Sequence, residues 1–162
     1  MKALSRALAL VLLSAAACST FKATTPAGFV ELPEQERYDY RATTHDGVVL
    51  SVRSLDNEPR GDEAFWTRAV ELRLRHQGGY ALLDSRAVSA KQGLTGRLLR
   101  FGHDEGARPH LYQVTLFVTH KRIYLLEAGG SRASVERETP KLDAFIAQFE
   151  PRHCWFKACT SL

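Results

Sequence analysis

The spacing of the strand-like stretches between Tyr80 and Ala128 restricts this chain more than any other feature. Four stretches rich in β-branched, leucine and aromatic residues follow one another: Tyr80 to Ala90, Leu94 to Phe101, His110 to Thr119 and Arg122 to Ala128. The links between them are too short for a crossover, because parallel neighbours need a connection of about a dozen residues or more. The segment is therefore expected to run back and forth as antiparallel strands. Gln92-Gly93 and His120-Lys121 mark turns, and Gly102 to Pro109, polar and flanked by Arg100 and His110, is the longest link. An exposed polar loop of that kind is a candidate contact for a partner, although a plain solvated connection explains it more simply.

Upstream, Tyr38, Tyr40 and Ala42 alternate with Asp39, Arg41 and Thr43, and Val48, Leu50 and Val52 alternate with Val49, Ser51 and Arg53. Asp46-Gly47 lies between the two runs and supplies the positive φ of a tight hairpin turn. The spacing then predicts a helix from about Glu63 to His76, with Asp62 as N-cap and Gly78-Gly79 as C-terminal stop. Phe65, Ala69 and Leu72 form one apolar row, and Trp66, Val70 and Leu74 the adjacent row, together wide enough to pack on a sheet. A second helix is expected to start at Pro140, capped by Thr139, with Leu142, Phe145, Ile146 and Phe149 as its core stripe and Pro151 as its end, and Ser131 to Glu138 reads as a short turn or helix before it. Two strands, a helix, four strands and a helix make an α+β domain: an antiparallel sheet of about six strands covered by helices, spanning residues 28–150.

This order of elements resembles the PsbP-like fold family, which includes small bacterial envelope lipoproteins. The resemblance covers roughly Gly28 to Phe149. It rests on the Phe29-to-Pro33 segment, the first hairpin, the Phe65-Trp66 helix, Gln92-Gly93-Leu94-Thr95-Gly96 leading into a strand, Tyr112 before a hydrophobic strand pair, and the closing Ile146-Ala147-Gln148-Phe149. It implies binding or support of an assembly, and carries over no catalytic residues, since fold does not dictate function.

The first seventeen residues have the three parts of a secretory signal: Lys2 and Arg6, the apolar run Ala7 to Leu13, and small residues after it. The run is too short to span a bilayer, which takes about 20 residues. Ala15-Ala16-Ala17 before Cys18 resembles the lipobox of bacterial lipoproteins, although Ala15 stands where that motif usually has Leu, and the same residues satisfy ordinary signal peptidase. Parity favours lipidation. The chain has three cysteines, Cys18, Cys154 and Cys159, and a lipid on Cys18 leaves an even pair in an oxidising compartment. Residues 18–27, with Thr24, Thr25 and Pro26, read as a lipidated tether. Ser19 after Cys18 resembles the signal for delivery to the outer membrane, facing the periplasm.

Cys154 and Cys159, in a C-terminal tail over residues 151–162, most simply form a disulfide. A metal site of His153, Cys154 and Cys159 is the rival, although three ligands within seven residues fit no zinc-finger spacing. Free thiols are the third reading. His45, His76, His103, His110 and His120 fall at turns and element ends, without ligand spacing. No G-x-S-x-G elbow, Walker lysine or G-x-G-x-x-G occurs, and Gly129-Gly130-Ser131 reads as a strand-to-helix turn. Removing Lys2 and Arg6 lowers the formal charge from +4 to +2, and the remaining arginines alternate with acids, which gives no nucleic-acid footprint. The expectation is a non-catalytic lipoprotein of the envelope, without a cofactor, that binds or assembles with an envelope protein. The alternative is a periplasmic lipoprotein that holds a small ligand or a metal, with the tail or a cleft between helix and sheet as its site.

Overall fold

Alternation along the strands builds two sheets in the computed structural model, which describes residues 19–33, 37–155 and 158–161; for residues 105, 153–155 and 158–161 only the backbone is described. The elements run β1 (Phe21–Lys22), β2 (Val30–Glu31), β3 (Tyr40–Thr43), β4 (Val49–Asp56), α1 (Glu63–Gly78), β5 (Ala81–Ser89), β6 (Thr95–Glu105), β7 (Arg108–Val118), β8 (Arg122–Ser131), α2 (Arg132–Gln148), β9 (Glu150–Trp155) and β10 (Ala158–Ser161). Seven strands form one antiparallel sheet in the order β2-β3-β4-β8-β7-β6-β5, and β1-β9-β10 form a second, three-stranded sheet. The α+β architecture expected from the sequence is present, with β2 completing the main sheet.

The hairpin at Asp46-Gly47 forms as its residues dictate. Gly47 sits at φ 85°, where a side chain would be strained. The Thr44 hydroxyl donates to Asp46 Oδ1 at 2.6 Å and accepts from Val48 N–H at 3.0 Å, which fixes the turn.

Both faces of the central strands are buried, which is why β8 opens on the unbroken run Ile123-Tyr124-Leu125-Leu126. Tyr124, Leu126 and Ala128 face α2, while Ile123 and Leu125 face α1. On the α2 side, Val48, Leu50, Val52, Leu98, Leu111 and Phe117 pack with Val135, Leu142, Phe145 and Ile146 of the helix. Phe149 stacks on Phe117 at 5.6 Å between centroids and meets Phe21 and Tyr124 at 5.5 and 5.3 Å. This aromatic group closes one end of the core.

Four expectations need correction. The second helix begins at Arg132, capped by Ser131, and Pro140 lies inside it. Proline has no N–H to return to the Glu136 carbonyl and costs about 3 kcal/mol in a helix interior. Burying Val135 fully, together with Ser134, offsets much of that, at about 1.5–3 kcal/mol for a branched aliphatic side chain. Thr139 does not cap; its hydroxyl donates to the Val135 carbonyl.

Gly102 to Pro109 is not a long loop. The β6–β7 ladder continues through His103–His110, Asp104–Pro109 and Glu105–Arg108, and Gly106 at φ 63° makes the turn. Polar composition misled because an extended hairpin arm has solvent on both faces.

Residues 19–27 do not act as a simple spacer, because Phe21 is 5% exposed and β1 pairs with β9. Finally, only the Trp66, Val70 and Leu74 row of α1 packs on the sheet; Phe65 and Leu72 stay 54% and 36% exposed. Geometry explains this. Seven strands spaced about 4.8 Å apart make a face far wider than one helix of about 10–12 Å. The helix α1 lies over β5, β6 and β7; beside it Ile123, Leu125 and Glu127 of β8 are still buried, and Leu55 of β4 is exposed.

Candidate functional site: the trough beside α1

Along the edge of α1 a cleft of about 400 Å³ lies between the helix and the sheet. Its floor is Leu55, Val114, Leu116, Ile123 and Leu125, and its wall is Trp66, Ala69, Val70, Arg73 and Leu74. Buried Asn57 sets the wall in place. It accepts from Trp66 Nε1 at 2.8 Å and Gly61 N–H at 2.9 Å, and donates to the carbonyls of Gly61 and Thr119 at 3.0 and 2.9 Å. One side chain thus ties the start of α1 to the β7–β8 turn, with its hydrogen-bonding capacity used as burial demands.

A polar set lies along the trough floor. Ser51 pairs with Glu127, and Arg53 is one step along the same face of β4. Arg53 Nε and Nη2 donate to Glu127 Oε2 and Oε1 at 2.7 and 2.5 Å, and Tyr112 OH donates to Oε1 at 2.5 Å. The Glu127 side chain is 7% exposed and that of Arg53 36%. Planar two-point pairing is what makes so buried a carboxylate tolerable. These hydrogen bonds to Glu127 raise the Arg53 pKa above its ordinary value, against the opposing effect of burial. Burial, and then the Glu127 charge, push the Tyr112 phenol well above the usual tyrosine range. The Tyr38 ring lies within reach of both Arg41 and Arg53, at 5.5 and 5.9 Å to its centroid.

Tyr112 reaches Glu127 because residue 129 has no side chain. A Cβ at Gly129 would stand 3.0 Å from Tyr112 Cδ2 and 3.8 Å from the Leu111 carbonyl oxygen. Beyond Tyr112 and Glu127 the trough continues as a shallower depression of about 300 Å³, with Tyr38, Arg41, Tyr80 and His110 around it. An apolar end at Leu55 and Ile123 thus passes through a neutralised ion pair to an aromatic and cationic end. Both Glu127 oxygens are occupied, so this set orders the floor; it does not present a base next to a nucleophile.

No protein-family model matches the chain, and no curated protein matches it. Solved structures do. Cyanobacterial PsbP (CyanoP) from Synechocystis sp. PCC 6803 superposes with a TM-score of 0.54 at 13% identity, over 82% of this chain and 86% of that one. The fold is PsbP-like. The Ran-binding protein Mog1p of Saccharomyces cerevisiae shares it, with a TM-score of 0.52 at 14% identity over 82% of this chain and 90% of its own. A Bacteroides thetaiotaomicron protein matches with a TM-score of 0.52 at 12% identity, over 83% of this chain and 46% of that one.

On this PsbP-like frame the residues singled out from sequence scatter. Cys18 and the seventeen residues before it lie outside the described residues. Cys154 and Cys159 stand opposite each other in the β9–β10 register. Antiparallel partners hold their Cα atoms about 4.5–5.5 Å apart, inside the range a disulfide spans. The side chains of His153, Cys154 and Cys159 lie outside the description. Among the described residues, no three His, Cys, Asp or Glu side chains gather as metal ligands, and no helix is long and apolar enough to cross a membrane. His103 and His110 face each other across the β6–β7 arm, with His103 Nδ1 3.3 Å from the Gly79 carbonyl oxygen. The sequence places Arg53 and Tyr112 only as strand residues, and Glu127 was not singled out. Its one available signal was Glu127 itself, a single carboxylate closing the apolar run from Ile123.

Proposed function

We propose that this protein is an exported bacterial lipoprotein, held by a lipid on Cys18 at the outer membrane and facing the periplasm, where it acts as a non-catalytic binding or assembly accessory. Its docking site is the trough beside α1, and its partner is a protein of the envelope.

The trough's shape carries this reading. Apolar surface does not stop at the cleft. Leu55 and Phe65 are 45% and 54% exposed, and the row Phe65, Ala69 and Leu72 continues outward from cleft-lining Ala69. A small ligand would fill about 400 Å³ and leave that row in water. A protein segment laid along the trough would cover cleft and row together, as apolar patches of this kind serve in recognition. The polar groups at its centre are already satisfied by one another, which suits contact without chemistry. The leader, the cysteine parity and the A-A-A-C sequence support export and lipidation. That one protein with this fold is named for binding Ran supports the fold as a binding frame.

The test is an in-cell crosslinking pull-down of the full-length chain against the Leu55→Glu/Phe65→Asp variant. A stoichiometric envelope protein recovered by the first and lost by the second supports the trough as the site. Equal recovery by both, or none by either, overturns it.

A further inference from the structure

The lipid anchor proposed above and the burial of Phe21 together fix how the domain sits. We infer that the end of the molecule formed by β1, the β4 terminus and the β7–β8 turn rests directly on the bilayer, with its cations against anionic phospholipid headgroups. This inference rests on lipidation of Cys18.

The chain is committed to the body almost at once. The Thr20 carbonyl accepts from Arg152 N–H at 2.7 Å and from Tyr124 OH at 3.1 Å, and the Thr20 hydroxyl donates to Ser54 Oγ at 3.0 Å. Phe21 is buried against Tyr124 and Phe149, and Lys22 pairs with Glu150 of β9. Thr20 is therefore held by β4, β8 and β9 simultaneously. Cys18 is two residues away, and two residues of extended chain span at most about 7 Å. A lipid on its sulfur leaves no length for the domain to swing free.

The register shows which surface lies there. Ser54 pairs with Tyr124 and Asp56 with Arg122, and Asn57 N–H donates to the Lys121 carbonyl at 2.9 Å. The turn His120-Lys121-Arg122 thus sits two residues along β8 from the Tyr124 that holds Thr20. Its charge fits an anionic surface. Asp56 is taken by Arg122 and Glu150 by Lys91; Asp39, hydrogen-bonded to Ser54 N–H, and Glu58 keep their charges, set against exposed Arg60 and the three cations that follow. Lys22, Lys121 and Arg152 have no carboxylate partner among the described residues, and Lys22 and Lys121 are exposed. Juxtamembrane cations of this sort are drawn to anionic headgroups within a Debye length. In this pose the trough opens sideways. Its apolar end, at Leu55 and Ile123, lies nearer the bilayer, and its other end, at Arg41 and His110, points away.

The test places a photo-crosslinking p-benzoylphenylalanine at residue 121 or, as control, at residue 108 on the opposite end. Full-length lipidated protein is reconstituted in vesicles of phosphatidylethanolamine and phosphatidylglycerol. Lipid adducts several-fold higher at 121 than at 108 are expected. Inserting about ten Gly/Ser residues before Ser19, a reach on the order of 17 Å, should erase that difference. Membrane-bound protein with equal adducts at both positions overturns the orientation while leaving the lipid anchor standing. Protein that partitions into the aqueous phase of a detergent separation overturns the anchor, and the orientation with it.

Discussion

Arg53 and Glu127 meet diagonally across β4 and β8 through two parallel hydrogen bonds, 2.7 and 2.5 Å long, and Tyr112 closes on the same carboxylate from β7. Removing one partner leaves the other partly buried and uncompensated. Glu127→Gln is expected to lower unfolding stability by about 2 kcal/mol, below the range for fully buried pairs because Arg53 keeps some access to water. Arg53→Met with Glu127→Leu removes both charges and should recover most of the loss. Urea unfolding of the three proteins measures it; a double variant as weak as the single would show that shape, not charge compensation, decides stability here.

Gly129 makes room for Tyr112. Gly129→Ala brings a Cβ to 3.0 Å from the Tyr112 ring and should cost about 1–3 kcal/mol as ring or strand shifts. Thermal unfolding gives the size. An unchanged midpoint would mean that the ring moves freely and does not order the floor.

Tyr112, with its raised pKa, binds its proton more tightly folded than unfolded, as do Tyr40 and Tyr124. The stability that this contributes is present below the unfolded tyrosine value of about 10 and is lost as pH rises above it. Stability should therefore fall above pH about 10, and less steeply in Tyr112→Phe. Parallel curves for the two proteins would remove Tyr112 from the account.

Asp46 works in the other direction. Hydrogen bonds from the Thr44 and Ser134 hydroxyls, and to a smaller degree the Arg137 charge, lower its pKa to about 2. The stability it gives is present above its unfolded value of about 4 and is lost as pH falls toward 2. A carboxyl NMR titration should place the Asp46 midpoint near 2, and Thr44→Val should raise it. A midpoint near 4 in the parent protein would contradict the turn geometry.

The β9–β10 register puts Cys154 opposite Cys159. One disulfide is expected in protein isolated from an oxidising compartment, worth about 2 kcal/mol for so short a loop. Intact mass with alkylation before and after reduction decides it: two alkylated thiols before reduction would exclude the bond.

How much of this was readable from residues depends on the range of the forces involved. Turn chemistry is local, so Asp46-Gly47, Gln92-Gly93 and His120-Lys121 announced their hairpins, and Asp62 and Gly79 announced the ends of α1. Pro140 deceived because its local preference for a helix start lost to burial of Val135 against strands far away in the chain. Phe21 looked like part of a tether because its partners, Tyr124 and Phe149, are more than a hundred residues on. The trough was invisible for a related reason. It exists because a single helix is too narrow for the face it packs on, and no stretch of sequence records that width. Glu127 alone carried a trace of it, as a charge at the end of an apolar strand.

An envelope protein docked in the trough beside α1, as proposed, would lie against both Leu55 and Phe65. Site-specific photo-crosslinking in intact cells reads this contact, with p-benzoylphenylalanine at residue 55, at residue 65, or at residue 143 on the opposite face. One and the same protein adduct is expected from 55 and 65, none from 143, and loss of the residue-65 adduct when Leu55→Glu is added. Adducts of equal yield from all three positions, or none from 55 and 65, would rule the trough out as the docking site.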